Sequence, residues 1–210
     1  MGFQWRGLFS SVLSSAAFAI LALSLSGCGT PYPRAPTTAA TPDYNYIIGP
    51  GDNVNIIVWR NPELSMSVPV RPDGKITTAL IEDLPALGRD STTLAREMEK
   101  ALSKYVRDPV VTVIVTGFVG PYSEQIRIIG EAARPQALAY RQNMTLLDVM
   151  IAVGGITDFA NGNAATILRT ADGAKQQYNV RIRDLLRRGD ISANVDMKPG
   201  DVVIIPQSWF

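Results

Sequence analysis

Few side chains in this chain are equipped for chemistry: among 210 residues there is no histidine, and Cys28 is the one cysteine. That removes the Ser-His-Asp triad, the Cys-His pair, His-ligated zinc and any intrachain disulfide. Carboxylates remain, and cleaving a glycosidic bond takes two positioned acids, one of them with a raised pKa. Asp52, Asp73, Asp172 and Asp201 each fall in a turn motif, where an Asp side chain accepts backbone hydrogen bonds. Turn structure accounts for them, and no catalytic residue is assigned. No cofactor or metal is implied either, because Gly49-Pro50-Gly51 precedes a strand pattern rather than the helix a phosphate-cradling loop requires. Arg181, Arg183, Arg187 and Arg188 form the most basic stretch and are the candidate contact for an anionic glycan or an acidic partner. Asp184 and Asp190 lie among them, and a solvated helix face is the plainer account. With 20 Lys and Arg against 19 Asp and Glu, the chain lacks the basic excess that draws nucleic acid.

Cys28 carries the one modification the residues suggest. Arg6 precedes an apolar stretch from Leu8 that ends at Ser26 and Gly27, the charged, apolar and small-residue order of a secretory signal over residues 1–27. A spanning helix is the competing reading, since Leu8 to Leu25 would reach roughly 27 Å at about 1.5 Å per residue. Five serines inside that stretch weaken it as an anchor. Leu25-Ser26-Gly27-Cys28 resembles the bacterial lipobox, which implies a diacylglyceryl group on the Cys28 thiol and cleavage before it. Acyl chains contribute about 0.8 kcal/mol per buried methylene, so several of them hold a domain on a bilayer. Gly29, where an Asp would signal retention, resembles the pattern of lipoproteins sent onward to the outer membrane. Removing residues 1–27 takes away Arg6 alone and leaves 19 basic and 19 acidic side chains.

The elements behind these motifs read as two modules after a spacer. Residues 28–43 contain Pro31, Pro33, Pro36 and Pro42 among threonines and alanines, a composition that favours an extended tether. From Tyr44, the turn Gly49-Pro50-Gly51-Asp52 releases Val54, Ile56 and Val58 at strand spacing. Met66, Val68 and Val70 alternate likewise into Arg71-Pro72-Asp73-Gly74-Lys75, predicting a hairpin with the strand at Ile76. Leu94, Met98, Leu102 and Tyr105 predict a helix face closed by Pro109, and residues 110–115 predict a strand buried on both faces. Gly117, Gly120 and Pro121 mark a boundary, giving modules over 44–120 and 121–206 with a tail at 207–210. In the second module, residues 125–130 predict a strand, and Thr145 with Asp148 a capped helix ending at Gly154-Gly155. Residues 165–169 and 177–181 predict a hairpin, and 182–188 a short helix. Lys198-Pro199-Gly200-Asp201 then repeats the device of Pro50-Gly51-Asp52 before Val203 and Ile205. The fold class is α+β, two small mixed modules.

Together these motifs resemble the Wza-type polysaccharide export family. The first module's Pro50-Gly51-Asp52-Asn53-Val54, Arg71-Pro72-Asp73-Gly74-Lys75-Ile76 and Asp108-Pro109-Val110-Val111 are similar to its polysaccharide export domain. Ile129-Gly130-Glu131 with Pro135, Thr145-Leu146-Leu147-Asp148 with Ala152 and Gly154-Gly155-Ile156, and Pro199-Gly200-Asp201-Val202-Val203 are similar to its β-grasp SLBB domain. Gln136 stands where the family commonly has glycine, so the local turn is expected to differ. The resemblance implies an outer-membrane lipoprotein facing the periplasm whose copies form a ring for exopolysaccharide or capsule. It also implies an inner-membrane polysaccharide co-polymerase, often with a tyrosine kinase, as partner. Only Gln207, Ser208, Trp209 and Phe210 follow Pro206, against about 20 helical residues for a span, so a short form with a separate outer-membrane β-barrel is expected. Such a ring would use strand edges and the loops at Arg71 to Lys75 and Asn161 to Asn163. A monomeric lipid-anchored glycan-binding protein is the alternative reading, and a glycan hydrolase the third.

Overall fold

The structure, a computed structural model, describes residues 32–38, 44–171 and 173–209. The signal segment, the lipobox with Cys28, and Asp172 lie outside them. Among the described residues no helix is long and apolar enough to cross a membrane.

Alternating β-branched residues build the first sheet, with strands β1 (Asn53–Val58), β2 (Met66–Pro69) and β5 (Val111–Gly117) in the order β2-β1-β5. Both pairings are antiparallel, with Ile56 opposite Met66 on one side and Val113 on the other. The short strands β3 (Lys75–Ile76) and β4 (Leu84–Pro85) pair with each other. The expected hairpin between the strands flanking Pro72-Asp73-Gly74 is therefore not a ladder: β2 belongs to β1, and β3 to β4. A tight turn does close there, with Gly74 N–H donating to Arg71 O at 2.8 Å.

Helix α1 (Ser91–Leu102) begins where the Asp90 side chain accepts the Thr93 N–H at 2.7 Å, and it buries Leu94, Ala95, Met98 and Leu102 against the sheet. Fully burying a side chain such as Leu94 or Met98 contributes about 1.5–3 kcal/mol. The helix ends at Leu102, well short of the predicted stop at Pro109, and Tyr105 is exposed rather than on the buried stripe. A further departure concerns β5. Val111 and Val113 are buried, but Thr112, Ile114 and Thr116 face outward, because α1 covers one face of the sheet. The β-branched run reported strand propensity correctly and burial wrongly.

The second sheet has the order β7-β6-β10-β8-β9, from β6 (Gln125–Gly130), β7 (Ala137–Ala139), β8 (Ala165–Ala171), β9 (Ala174–Val180) and β10 (Val202–Ile205). Strand β10 runs parallel to β6, and the other pairings are antiparallel. Helix α2 (Leu146–Val153) starts in the predicted capping box of Thr145 and Asp148 and stops at Gly154 with φ 79°. It packs Leu146, Val149, Met150 and Val153 into a core shared with Ile126, Ile167 and Val203. Helix α3 (Ile182–Arg188) adds Ile182 and Leu185. The architecture is α+β, with a separate hydrophobic cluster beneath each sheet.

The described part of the proline-rich stretch, residues 32–38, is bonded to the second sheet. Asn179 N–H donates to Pro33 O at 2.8 Å and Ala35 N–H to Asn179 O at 3.2 Å, a parallel bridge on the edge of β9. Proline lacks an N–H but keeps its carbonyl, so Pro33 can accept on the same side on which Ala35 donates.

Candidate functional site

The two Pro-Gly-Asp turns put fully buried carboxylates at the roots of the two sheets, and each acid is held differently. Asp52 accepts from Gly49 N–H at 2.9 Å within its own turn, and from Val119 and Gly120 N–H at 2.6 and 2.8 Å in the segment leading to the second sheet. The Tyr46 hydroxyl completes the cluster at 2.8 and 2.9 Å from the two carboxylate oxygens. Desolvation, and then the hydrogen bond to Asp52, push the Tyr46 phenol far above its ordinary value. Gly49 is required sterically, since a Cβ there would lie 2.1 Å from Pro121 N. From the other side, Gln125 Nε2 donates to Val119 O and Gly120 O at 3.2 and 3.1 Å.

Asp201 takes a guanidinium instead. Arg169 Nε and Nη2 reach its two oxygens at 2.9 and 2.6 Å, with side chains 4% and 0% exposed. Lys198 N–H also donates to Asp201, and Arg169 Nη2 to Asp196 O at 2.9 Å. Gly200, at φ 83°, brings the turn so close that a Cβ would sit 2.5 Å from Ser123 O. Both turns thus press on the segment joining the sheets, one through Asp52 and one through Gly200. In the third turn Pro72 and Asp73 stay at the surface while Gly74 is buried, and Arg71 pairs there with Asp73 and Asp83 at 2.7 and 2.5 Å.

The basic stretch is bonded within its own module. Arg181 reaches Asp184 and Asp190 at 3.1 and 2.8 Å, Arg187 pairs with Asp158 at 2.8 Å, and Arg188 with Asp184 at 3.2 Å. Arg183 donates to Ala160 O at 2.5 Å. The bond from Asn163 chiefly holds the Asp184 carboxyl below its ordinary value, with Arg188 and Arg181 adding to it. The Asn161 to Asn163 loop, expected as an assembly surface, is tied to α3 by that bond at 2.9 Å and by Ile182 N–H donating to Gly162 O. Trp209, by contrast, is 89% exposed. Gln136 bridges to Ala152 O at 3.2 Å where a glycine would leave that acceptor unbridged.

The open surfaces lie elsewhere. Phe118 lines a groove of about 610 Å³ that runs past Arg141, Asn143, Asp148 and Ile151, and a smaller one with Tyr44, Tyr46 and Tyr140. Tyr46 packs edge-on to Phe118 and Tyr44 edge-on to Tyr140, at centroid distances of 5.1 and 4.8 Å. On the sheet, Asn53, Asn55 and Ile57 of β1 and Thr112, Ile114 and Thr116 of β5 form an outward face without a single charge. Tyr46, Gln125, Arg169 and Asn179 were not singled out from the sequence. One signal was present: Arg169 shares strand parity with the inward Ala165 and Ile167, and a cation at a core position requires a partner.

Every buried carboxylate among the described residues, Asp52, Asp184 and Asp201, is committed to backbone, amide or arginine donors. These features define a protein of two β-sheets, each over its own hydrophobic cluster, whose buried acids hold its parts in register. Residues 40–116 match the family described as polysaccharide biosynthesis/export protein, and residues 124–205 match the SLBB domain. The chain belongs to the Wza-type polysaccharide export family. It is 26% identical over 192 residues to the EPS I polysaccharide export outer membrane protein EpsA of Ralstonia nicotianae, covering 80% of this chain and 48% of that protein. It is 29% identical over 188 residues to the protein of the same name from Ralstonia solanacearum, covering 78% and 48%. The chain thus spans about half the length of these curated relatives.

Proposed function

We propose that this protein is a non-enzymatic component of polysaccharide export, held by an acylated Cys28 to the periplasmic side of the outer membrane and self-associating as part of the conduit. The observation that carries the reading is the ordered pair of family matches, export domain then SLBB domain, on a chain whose relatives are named polysaccharide export outer membrane proteins. The uncharged outer face of β1 and β5 supports the self-association, because a neighbouring copy can cover it without desolvating an ion. An inner-membrane co-polymerase is the partner this role calls for, and exopolysaccharide or capsular polysaccharide the cargo. Domain division at residues 44–120 and 121–206 goes with the same proposal.

Acylated protein extracted in mild detergent and weighed by native mass measurement tests it, together with deletion of the gene. A closed multimer and loss of secreted polymer are the expected results. A persistent monomer with saturable sugar affinity, or unchanged secretion in the deletion strain, overturns the reading in favour of a glycan-binding protein.

A further inference from the structure

We infer that Tyr32 to Thr37 is an anchoring strap that holds the β9 and α3 flank of the second sheet against the lipid surface, a reading that rests on acylation of Cys28. The strap is bonded at three points: Pro33 O and Ala35 N–H on Asn179, and Thr37 O, which accepts the Asp196 N–H at 3.3 Å. Ala35 is 8% exposed and joins the hydrophobic cluster beneath the second sheet. The docking post is itself rigid, since Asn179 Nδ2 donates to Asn163 O and Ala165 O at 3.0 and 3.2 Å.

Chain length then limits where the membrane lies. Only Gly29, Thr30 and Pro31 separate Cys28 from Tyr32, so four Cα steps span at most roughly 14 Å. A free tether running to Tyr44 would allow several times that reach. The surface beside the strap fits a bilayer. Arg34, Ala35 and Thr37 line one cavity with Ser192 and Ala193, and the adjoining Ile191 is an aliphatic side chain 70% exposed. An exposed aliphatic group on the flank that the strap occupies gains by entering the apolar boundary of a membrane.

The test uses the full-length acylated protein carrying Ile191→Cys, labelled with an environment-sensitive fluorophore. Because acylation blocks the Cys28 thiol, the new cysteine is the one reactive thiol. The protein is reconstituted on phosphatidylethanolamine and phosphatidylglycerol vesicles containing a phospholipid with a nitroxide headgroup. Two further variants on the Ile191→Cys background slacken the strap. One inserts about twelve Gly and Ser residues between Thr30 and Pro31, adding about 20 Å of mean reach, and the other is Ala35→Asp. Expected is quenching in the labelled parent at least twofold that in either slackened protein. Acylated, vesicle-bound parent quenched no more than the insertion variant overturns the strap. Intact-mass measurement separates the two ways to fail: an unacylated Cys28 sinks the anchor and the strap together, whereas an acylated Cys28 with equal quenching sinks the strap alone.

Discussion

The Asp52 carboxylate lies 2.8 Å from the Gly120 N–H, a contact 68 positions apart in sequence that fastens the first turn of the first sheet to the segment entering the second. The same oxygen takes the Val119 N–H at 2.6 Å, so one side chain sets where the chain leaves β5. Hydrogen bonds to a buried ionised acceptor contribute more than neutral ones, and removing the acceptor leaves several donors stranded at once.

Asp52→Ala is expected to cost about 3 kcal/mol or more, because each N–H left without a partner in a buried site costs about 1–3 kcal/mol. Asp52→Asn keeps an acceptor oxygen and is expected to cost less. Urea unfolding of both variants checks the order. Equal, sub-kilocalorie losses would mean that solvent replaces the carboxylate.

Arg169 and Asp201 are the buried ion pair of the second sheet. Arg169→Leu leaves a desolvated carboxylate, and breaking such a pair typically costs about 3–5 kcal/mol. Asp201→Asn in the Arg169→Leu background is expected to recover part of that loss, since the stranded charge is gone. A double-mutant cycle reads the coupling directly. Additive losses would show that the two side chains act separately.

Acid stability should carry two opposite contributions. Asp90 caps α1, and the Thr93 N–H bond chiefly lowers its carboxyl from the ordinary 3.8. Its folded value is depressed, so its stabilisation is full above 3.8 and is lost as pH falls through the lower folded value. Asp90→Ala is expected to cost about 1 kcal/mol near neutral pH and to flatten the acid limb. Glu124 has the other sign, because burial raises its carboxyl above 4.5. The folded state then holds its proton more tightly, and stability falls as pH rises from 4.5 through the folded value. Glu124→Gln is expected to be more stable than the parent above that window and no more stable below it. Chemical unfolding at a series of pH values resolves both slopes.

Tyr44 gives an alkaline signature. Burial, and next Glu124, push its phenol up from 10.0 to about 12. An unfolded tyrosine ionises first, so folding stability attributable to Tyr44 is present below pH 10 and is lost on the way to about 12. Tyr44→Phe removes one late-titrating tyrosine from the absorbance curve near 295 nm. An unchanged late phase would contradict its burial beside Glu124.

Self-association through the open sheet face is tested by Ile114→Glu. Ile114 is exposed, so the folded monomer is expected to lose less than about 0.5 kcal/mol. The multimer is expected to weaken, because the charge would be buried without a partner. Native mass spectra of parent and variant at matched concentration decide it. Identical distributions would place the contact on another surface.

Local signals were readable wherever one residue type answers to a short-range demand. Thr145 and Asp148 cap α2, Gly154 takes the positive φ that stops it, and Val54, Ile56 and Val58 alternate inward from Pro50-Gly51-Asp52. The same reasoning misjudged features that depend on what lies across from an element. The residue run of β5 says strand, but α1 covers just one of its faces, and that leaves Ile114 open. Around Arg181 to Arg188 the neighbouring Asp184 and Asp190 were visible in the sequence, but only folding brings the distant Asp158 to Arg187.

By its own pattern, then, the chain determined its class, its turns and its caps, because those follow from dihedral preference and hydrophobic spacing over a few residues. Tertiary structure alone decided that Asp52 would bind the segment between the sheets, that Arg169 would meet Asp201, and that a proline-rich stretch would lie down on Asn179. Each of these joins groups far apart in sequence. Their strength comes from being out of water together, a condition that exists only once both cores have closed.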